Sequence, residues 1–196
     1  MDFVEAKGVL GGLFSFSAED TNRVIQHLDL PRGAKILDVG TGFGYLAITL
    51  ALNGYRVVTG EPADDNSKYA KHPWLVNAER VGVDRLIEFQ AFDARAMPFE
   101  EGTFDAILCL GSLHHVDAGH RVNVLRECLR ASKAGAVICF FEPNRDSIKI
   151  IRELDPTHPE AADPNEYAPG LDLASEKIEG TRFDAFVFRK TRPRPG

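Results

Sequence analysis

The sequence predicts an α/β fold in which a parallel sheet carries helices on both faces. Three observations predict it. Short apolar runs alternate with helical stretches from Lys35 onward. The runs are almost continuously apolar, as strands covered on both sides should be. A glycine-rich turn stands between the first such run and the helix that follows it.

Ahead of the alternation, residues 9–16 are glycine-rich and aromatic without a clear period. Ser17, with Glu19 and Asp20 behind it, reads as a helix N-cap followed by acids in the first turn. Val24, Ile25 and Leu28 then recur at helical spacing until Leu30-Pro31-Arg32-Gly33 stops the run. Lys35–Val39 is the first strand and Tyr45–Leu52 its helix. Arg56–Gly60 is the second strand, and a helix over 69–81, irregular at His72-Pro73, follows it. Residues 86–90 form a third strand, Phe104–Leu110 a fourth, 121–132 a helix and 136–141 a fifth strand. After Asn144 a helix runs to about residue 154, and a Pro-, Asp- and Glu-rich loop leads to Pro169-Gly170. Residues 177–179 and 182–188 then read as a closing hairpin, and the basic, proline-rich tail from Arg189 reads as frayed. No repeat and no second domain is visible, so one domain over 1–196 is expected. Within it, 1–30 covers the site, 35–143 is the core, and 144–196 is helix, loop and hairpin.

The strongest chemical signal is Asp38-Val39-Gly40-Thr41-Gly42-Phe43-Gly44, placed between a strand and a helix. Glycines there let the backbone turn tightly and approach a ligand beside a helix N-terminus. The spacing departs from the dinucleotide fingerprint, which needs glycine or alanine three positions after its second glycine; Tyr45 occupies that place. A nicotinamide-dependent oxidoreductase is therefore the weaker reading.

A strand-borne acid followed by glycines at alternate positions resembles the first motif of class I S-adenosylmethionine-dependent methyltransferases, small and UbiE-like or type 11-like. The resemblance runs from about Lys35 to Pro143 and implies S-adenosyl-L-methionine as cofactor. It implies a Rossmann-like, doubly wound, mostly parallel seven-stranded sheet whose antiparallel C-terminal strand is supplied by residues 183–188. It also places Asp38 near the cofactor's amino acid end, with Gly40, Thr41, Gly42 and Gly44 packed beneath it. Glu61, just past the second strand and about twenty residues beyond the glycine loop, stands where an acid meets ribose hydroxyls. The sequence after it is unusually acidic, which leaves Asp64 and Asp65 as alternatives.

Phe92-Asp93-Ala94, between the third and fourth strands, is similar to the family's adenine-binding stretch: Asp93 would accept from the adenine amino group and Ala94 would offer its amide. Leu110, ending the fourth strand, is expected beside the cofactor. The segment Leu113-His114-His115-Val116 after it looks like the corresponding segment of many small-molecule and quinone-type methyltransferases. His114 or His115 is a candidate general base, worth about 10²–10⁴ in rate, with packing or cofactor contact as the alternative. Glu142, ending the fifth strand, is a candidate for orienting a substrate group or for capping the turn. His27, His72, His120 and His158 are scattered along the chain, and no metal-ligand spacing links them, so no metal is expected.

The net charge of −6 disfavours nonspecific contact with phosphate backbones, and the signatures of nucleobase-modifying methyltransferases are missing, so a small-molecule acceptor is expected and nucleic acid is not. Phe14, Phe16 and Tyr167 are candidates to touch it. Both covering segments are short, which points either to a small acceptor pocket or to one completed by a partner chain, a second copy included. A non-catalytic S-adenosylmethionine-binding subunit is the alternative function. The three cysteines, 109, 128 and 139, sit among apolar neighbours without CxxC spacing and read as buried thiols. The start lacks a basic region followed by an apolar stretch, and no run reaches the ~20 residues of a membrane span, so a cytoplasmic protein is expected.

Overall fold

The apolar runs assemble into one seven-stranded sheet in the order β3-β2-β1-β4-β5-β7-β6. The structure is a computed structural model and describes residues 1–171 and 173–190. The strands are β1 (Lys35–Val39), β2 (Arg56–Gly60), β3 (Ile87–Phe89), β4 (Phe104–Leu110), β5 (Ser132–Pro143), β6 (Ala174–Ile178) and β7 (Phe183–Arg189). β1 to β5 are parallel, β7 runs antiparallel to β5, and β6 runs antiparallel to β7. β7 is thus interior and the hairpin's first strand forms the edge. That position explains why Phe183, Ala185, Phe186, Val187 and Phe188 are all buried.

Helices α1 (Phe3–Leu10), α2 (Gly12–His27), α3 (Tyr45–Leu52), α4 (Trp74–Val81), α5 (Ala118–Ala131) and α6 (Arg145–Leu154) cover the sheet. One buried cluster joins α1, α2, α3 and α4 to one face through Phe14, Ile25, Ile36, Ile48 and Leu108. The other packs α5 on the opposite face through Leu125 and Cys128 against Ile107, Phe140 and Phe188. At roughly 1.5–3 kcal/mol for each large apolar side chain buried, these two layers dominate the stability.

Three expectations are corrected. Residues 3–27 form two helices, not one helix capped at Ser17: Asp2 and Glu5 make a reciprocal capping box at the first start, and Gly11, at φ +81°, breaks between them. Ser17 is buried inside α2 and donates to the Phe14 carbonyl at 3.3 Å. The helix expected over 69–81 begins only at Trp74, because Pro73 sets its start and Lys71 takes a left-handed φ of +58°. β5 starts directly at the end of α5, four residues earlier than expected, with a register shift opposite Phe104 and Ala106. Asn144 caps α6 by accepting from the Ser147 amide at 2.9 Å. Of the tail expected to fray from Arg189, Arg189 itself ends β7, paired with Val137, and the part beyond Lys190 lies outside the described residues. Among the described residues, no helix is long and apolar enough to cross a membrane.

Candidate active site

The strand order reverses between β1 and β4, and ligands of open α/β sheets bind outside the carboxyl ends of the strands at such a point. A cavity of about 730 Å³ opens there. Its floor is the loop after β1, with Gly40, Thr41 and Gly42; Glu61, Asp93, Ala94 and Leu110 stand around it. Leu13 and Phe16 of α2 and Ile150, Ile151 and Leu154 of α6 also line it.

The loop's shape follows from two glycines. Gly40 has φ +93°, and a Cβ there would lie 2.1 Å from the Ser112 Oγ, so the β1 and β4 loops interlock only without a side chain. Gly42 has φ +46°, and a Cβ there would meet nothing nearer than the Tyr69 carbonyl oxygen at 3.9 Å. That open space belongs to the cavity. Gly44, left-handed, sets the N-cap of α3 and stands behind the wall.

Asp38 also stands behind the wall. It is fully buried; its Oδ2 accepts from Thr59 Oγ1 at 2.9 Å, and Thr59 Oγ1 lies 2.9 Å from Thr41 Oγ1. Its Oδ1 has no hydrogen-bond partner among the described residues. Burial pushes the carboxyl up to about 8, outweighing the Thr59 bond. The folded chain therefore holds a proton that the unfolded chain releases near pH 4, so stability declines as pH rises from there through about 8. Asp38→Asn is expected to flatten that decline in ligand-free protein, measured by thermal unfolding between pH 5 and pH 9, roughly the range over which the proton is lost. An unchanged pH profile would place the proton elsewhere.

Glu61 is held rigidly. Its Oε2 accepts from the Gly42 amide at 3.0 Å and its Oε1 from the Lys71 amide at 2.6 Å, leaving one lone pair on each oxygen facing other partners. Of the alternatives, Asp65 lines the cavity and Asp64 does not. Asp93 is paired with Arg95 at 2.6 Å, and that guanidinium holds its carboxyl below the usual range.

The two histidines after β4 face different ways. His115 is on the cavity wall, while His114 is buried behind it, its Nδ1 2.6 Å from Glu142 Oε2. Glu142 is not on the wall either; its Oε2 also accepts from the Ala162 amide at 3.2 Å. Arg121 fixes this turn, donating to the carbonyls of His114 and Val116 and to the Tyr167 hydroxyl. Burial, then the neighbouring His114 and His158 rings, push His115 down to about 3. Burial likewise pushes the Cys128 thiol up to about 12 and those of Cys109 and Cys139 upward, so the three thiols stay inert.

Of the aromatic candidates, Phe16 lines the cavity. Phe14 is fully buried between Phe3 and Tyr45, and Tyr167 stacks beneath Arg121 away from the wall. Wall residues that escaped the sequence reading include Tyr69, Ile150, Ile151 and Leu154. The last three recur at helical spacing in α6, a pattern that marks an apolar face seeking cover. His158 was also missed: its ring centroid lies 5.0 Å from that of His114 and 5.1 Å from that of His115.

The family profile described as "Methyltransferase domain" matches residues 37–140, just over half of the chain. The chain belongs to the methyltransferase family. Relatives include the 27-O-demethylrifamycin SV methyltransferase of Amycolatopsis mediterranei, 30% identical over 59% of this chain and 40% of that protein. The ubiquinone biosynthesis O-methyltransferase of Chromobacterium violaceum is 34% identical over 59% of this chain and 47% of its own. The matches thus span less than half the length of these relatives. A chain from Methanococcus maripaludis superposes with a TM-score of 0.71 at 19% identity, over 98% of this chain and 95% of that one. A SAM dependent methyltransferase from Aquifex aeolicus does so with a TM-score of 0.63 at 18% identity, over 88% and 90%. At these identities the superpositions establish the Rossmann-like fold alone.

S-adenosyl-L-methionine is the cofactor that this membership brings, and the residues present fit it. The space over Gly42, which a Cβ would enter without meeting protein, is a cradle for a ligand rather than a packed turn. The cavity volume falls within the 300–1,000 Å³ usual for small-molecule sites.

Proposed function

We propose that this methyltransferase-family chain transfers the methyl group of S-adenosyl-L-methionine to an oxygen of a small-molecule acceptor. The observation that carries the reading is a cavity with two unlike sets of lining residues. One set is polar and backbone-rich, from the loops between Gly40 and Asp93; the other is the apolar side chains of α2 and α6. The first suits the cofactor and the second a small, largely apolar acceptor. The rifamycin-type and ubiquinone-type relatives, both named for O-methylation, support an oxygen as the accepting atom.

When bound, the cofactor supplies a sulfonium methyl group open to attack by a lone pair. The chain's own residues orient the two reactants. Gly40, Thr41 and Gly42 set the depth of the cofactor. Glu61 accepts from its ribose hydroxyls, Asp93 from its adenine amino group, and the Ala94 amide faces the same base. Leu110 closes the wall beside it. Phe16, Ile151 and Leu154 exclude water from the acceptor, and His115 presents a ring nitrogen to it. Alignment of this kind lowers a barrier by roughly 7–11 kcal/mol without a covalent intermediate.

Glu61→Ala is expected to weaken S-adenosylhomocysteine binding about tenfold or more while the chain stays folded, since a charge-assisted hydrogen bond is worth about 1.5–3 kcal/mol. Isothermal titration checks it, and unchanged affinity would move the ribose role to Asp65. The function itself is tested by incubating the protein with methyl-labelled cofactor and a panel of phenols, catechols and hydroxylated macrocycles. Label is expected on an acceptor oxygen. Cofactor binding with no transfer to any acceptor would instead make the chain a non-catalytic binding subunit.

A further inference from the structure

We propose that His114, His115 and His158 bind a divalent transition-metal ion of the zinc class at the edge of the acceptor cavity. One ring nitrogen from each of the three lies within 4.8 Å of the others. Three facts of the surrounding structure prepare the site. The His114 Nδ1 donates to the buried Glu142 carboxylate at 2.6 Å, which leaves the lone pair on Nε2. His158 Nδ1 lies 2.9 Å from the Pro159 carbonyl oxygen, an acceptor only, so that ring also carries its proton on Nδ1 and its lone pair on Nε2. Metal-binding histidines are oriented in this way, by a carboxylate or a backbone carbonyl on the second nitrogen.

The third fact is a missing partner. His114 is only 4% exposed, and its Nε2 has no hydrogen-bond partner among the described residues. A buried polar atom left unsatisfied destabilises the fold. A metal ion would satisfy it. Imidazole nitrogens suit Zn²⁺, Ni²⁺, Co²⁺ and Cu²⁺ rather than Mg²⁺ or Ca²⁺. Donors around a tetrahedral zinc ion stand roughly 3.3 Å apart at bond lengths near 2.0–2.1 Å, so the cluster must close slightly. Rotation of the His115 side chain about its own torsions would supply that closure. Three histidines leave a fourth position vacant, as in catalytic rather than structural zinc sites. Since His115 lines the cavity, that position opens towards it, where an acceptor oxygen would bind. This last step rests on the apolar lining being the acceptor site; the metal site does not.

The test uses full-length protein without a polyhistidine tag, titrated with Co²⁺ alone. One equivalent is expected to bind with the intense visible absorption of four-coordinate Co²⁺, and Zn²⁺ is expected to displace it. His158→Ala is expected to weaken binding at least tenfold and Glu142→Gln about tenfold to a hundredfold, the range for a group behind a metal ligand. S-adenosylhomocysteine affinity, read in parallel, is expected to be unchanged in His158→Ala, because that residue is off the cofactor wall. Absence of Co²⁺ and Zn²⁺ binding at micromolar concentration would overturn the proposal, as would equal binding by wild type and His158→Ala. Neither result would touch the cofactor reading, which S-adenosylhomocysteine tests independently.

Discussion

A Gly42→Val variant is expected to lose S-adenosylhomocysteine binding by about a hundredfold or more while retaining its fold. Two effects add. The valine side chain would occupy the space over the loop, where a Cβ already meets no protein atom nearer than 3.9 Å. The left-handed backbone at φ +46° also strains any residue with a Cβ, by roughly 1–2 kcal/mol. Gly42→Ala separates them: it carries the strain with little of the volume, and its affinity should fall between wild type and Gly42→Val. Calorimetric titration of the three proteins, with circular dichroism as the check on folding, measures this. A Gly42→Val variant binding as tightly as wild type would show that the loop does not approach the ligand.

The largest effect on stability is expected at Asp20, which does not line the cavity. This α2 residue is buried, and its carboxylate accepts from the amides of Thr181, Arg182 and Phe183 at 2.9, 2.6 and 3.0 Å. It thereby pins the turn between β6 and β7 to the helical layer. Asp20→Ala strands three amides at once and is expected to cost about 3–5 kcal/mol, because hydrogen bonds to a charged group are worth about 1.5–3 kcal/mol each and do not add fully. For a chain of this size that lowers Tm by roughly 6–20 °C. Burial raises the Asp20 carboxyl, but the three amides and Arg23 outweigh it and hold the group below its ordinary range. Its contribution is thus complete above the unfolded value near pH 4 and is lost as pH falls below it. Thermal unfolding at pH 7 and pH 3 checks both points, these values lying on either side of an ordinary Asp titration. A variant melting with wild type at pH 7 would contradict them.

Legibility in the sequence followed how local the cause was. β1, β2, β4 and α3 fall on the expected residues because continuous apolar runs and the glycine turn between them are local signals. The opening helices were misread because Gly11 and Gly12 look like a loop, whereas the tertiary layer makes them a one-residue break between two helices. The α4 boundary moved because Pro73 and the left-handed Lys71 outweigh the helical pattern on either side. In the site, Gly40, Thr41, Gly42, Glu61, Asp93, Ala94, Leu110 and His115 come to one cavity. Asp38, Gly44, His114 and Glu142 lie behind it, a distinction of facing that residue type does not carry. His158 joins His114 and His115 across more than forty positions of chain, through the packing of the segment after α6, and nothing in its neighbours announces that.

The cavity over Gly42, Glu61 and Asp93 is proposed to hold S-adenosyl-L-methionine. Calorimetric titration of the purified protein with S-adenosylhomocysteine, with NAD as the comparison ligand, tests it most directly. Micromolar binding of the first and none of the second is the predicted result. Binding of NAD in preference, or of neither ligand, would contradict it.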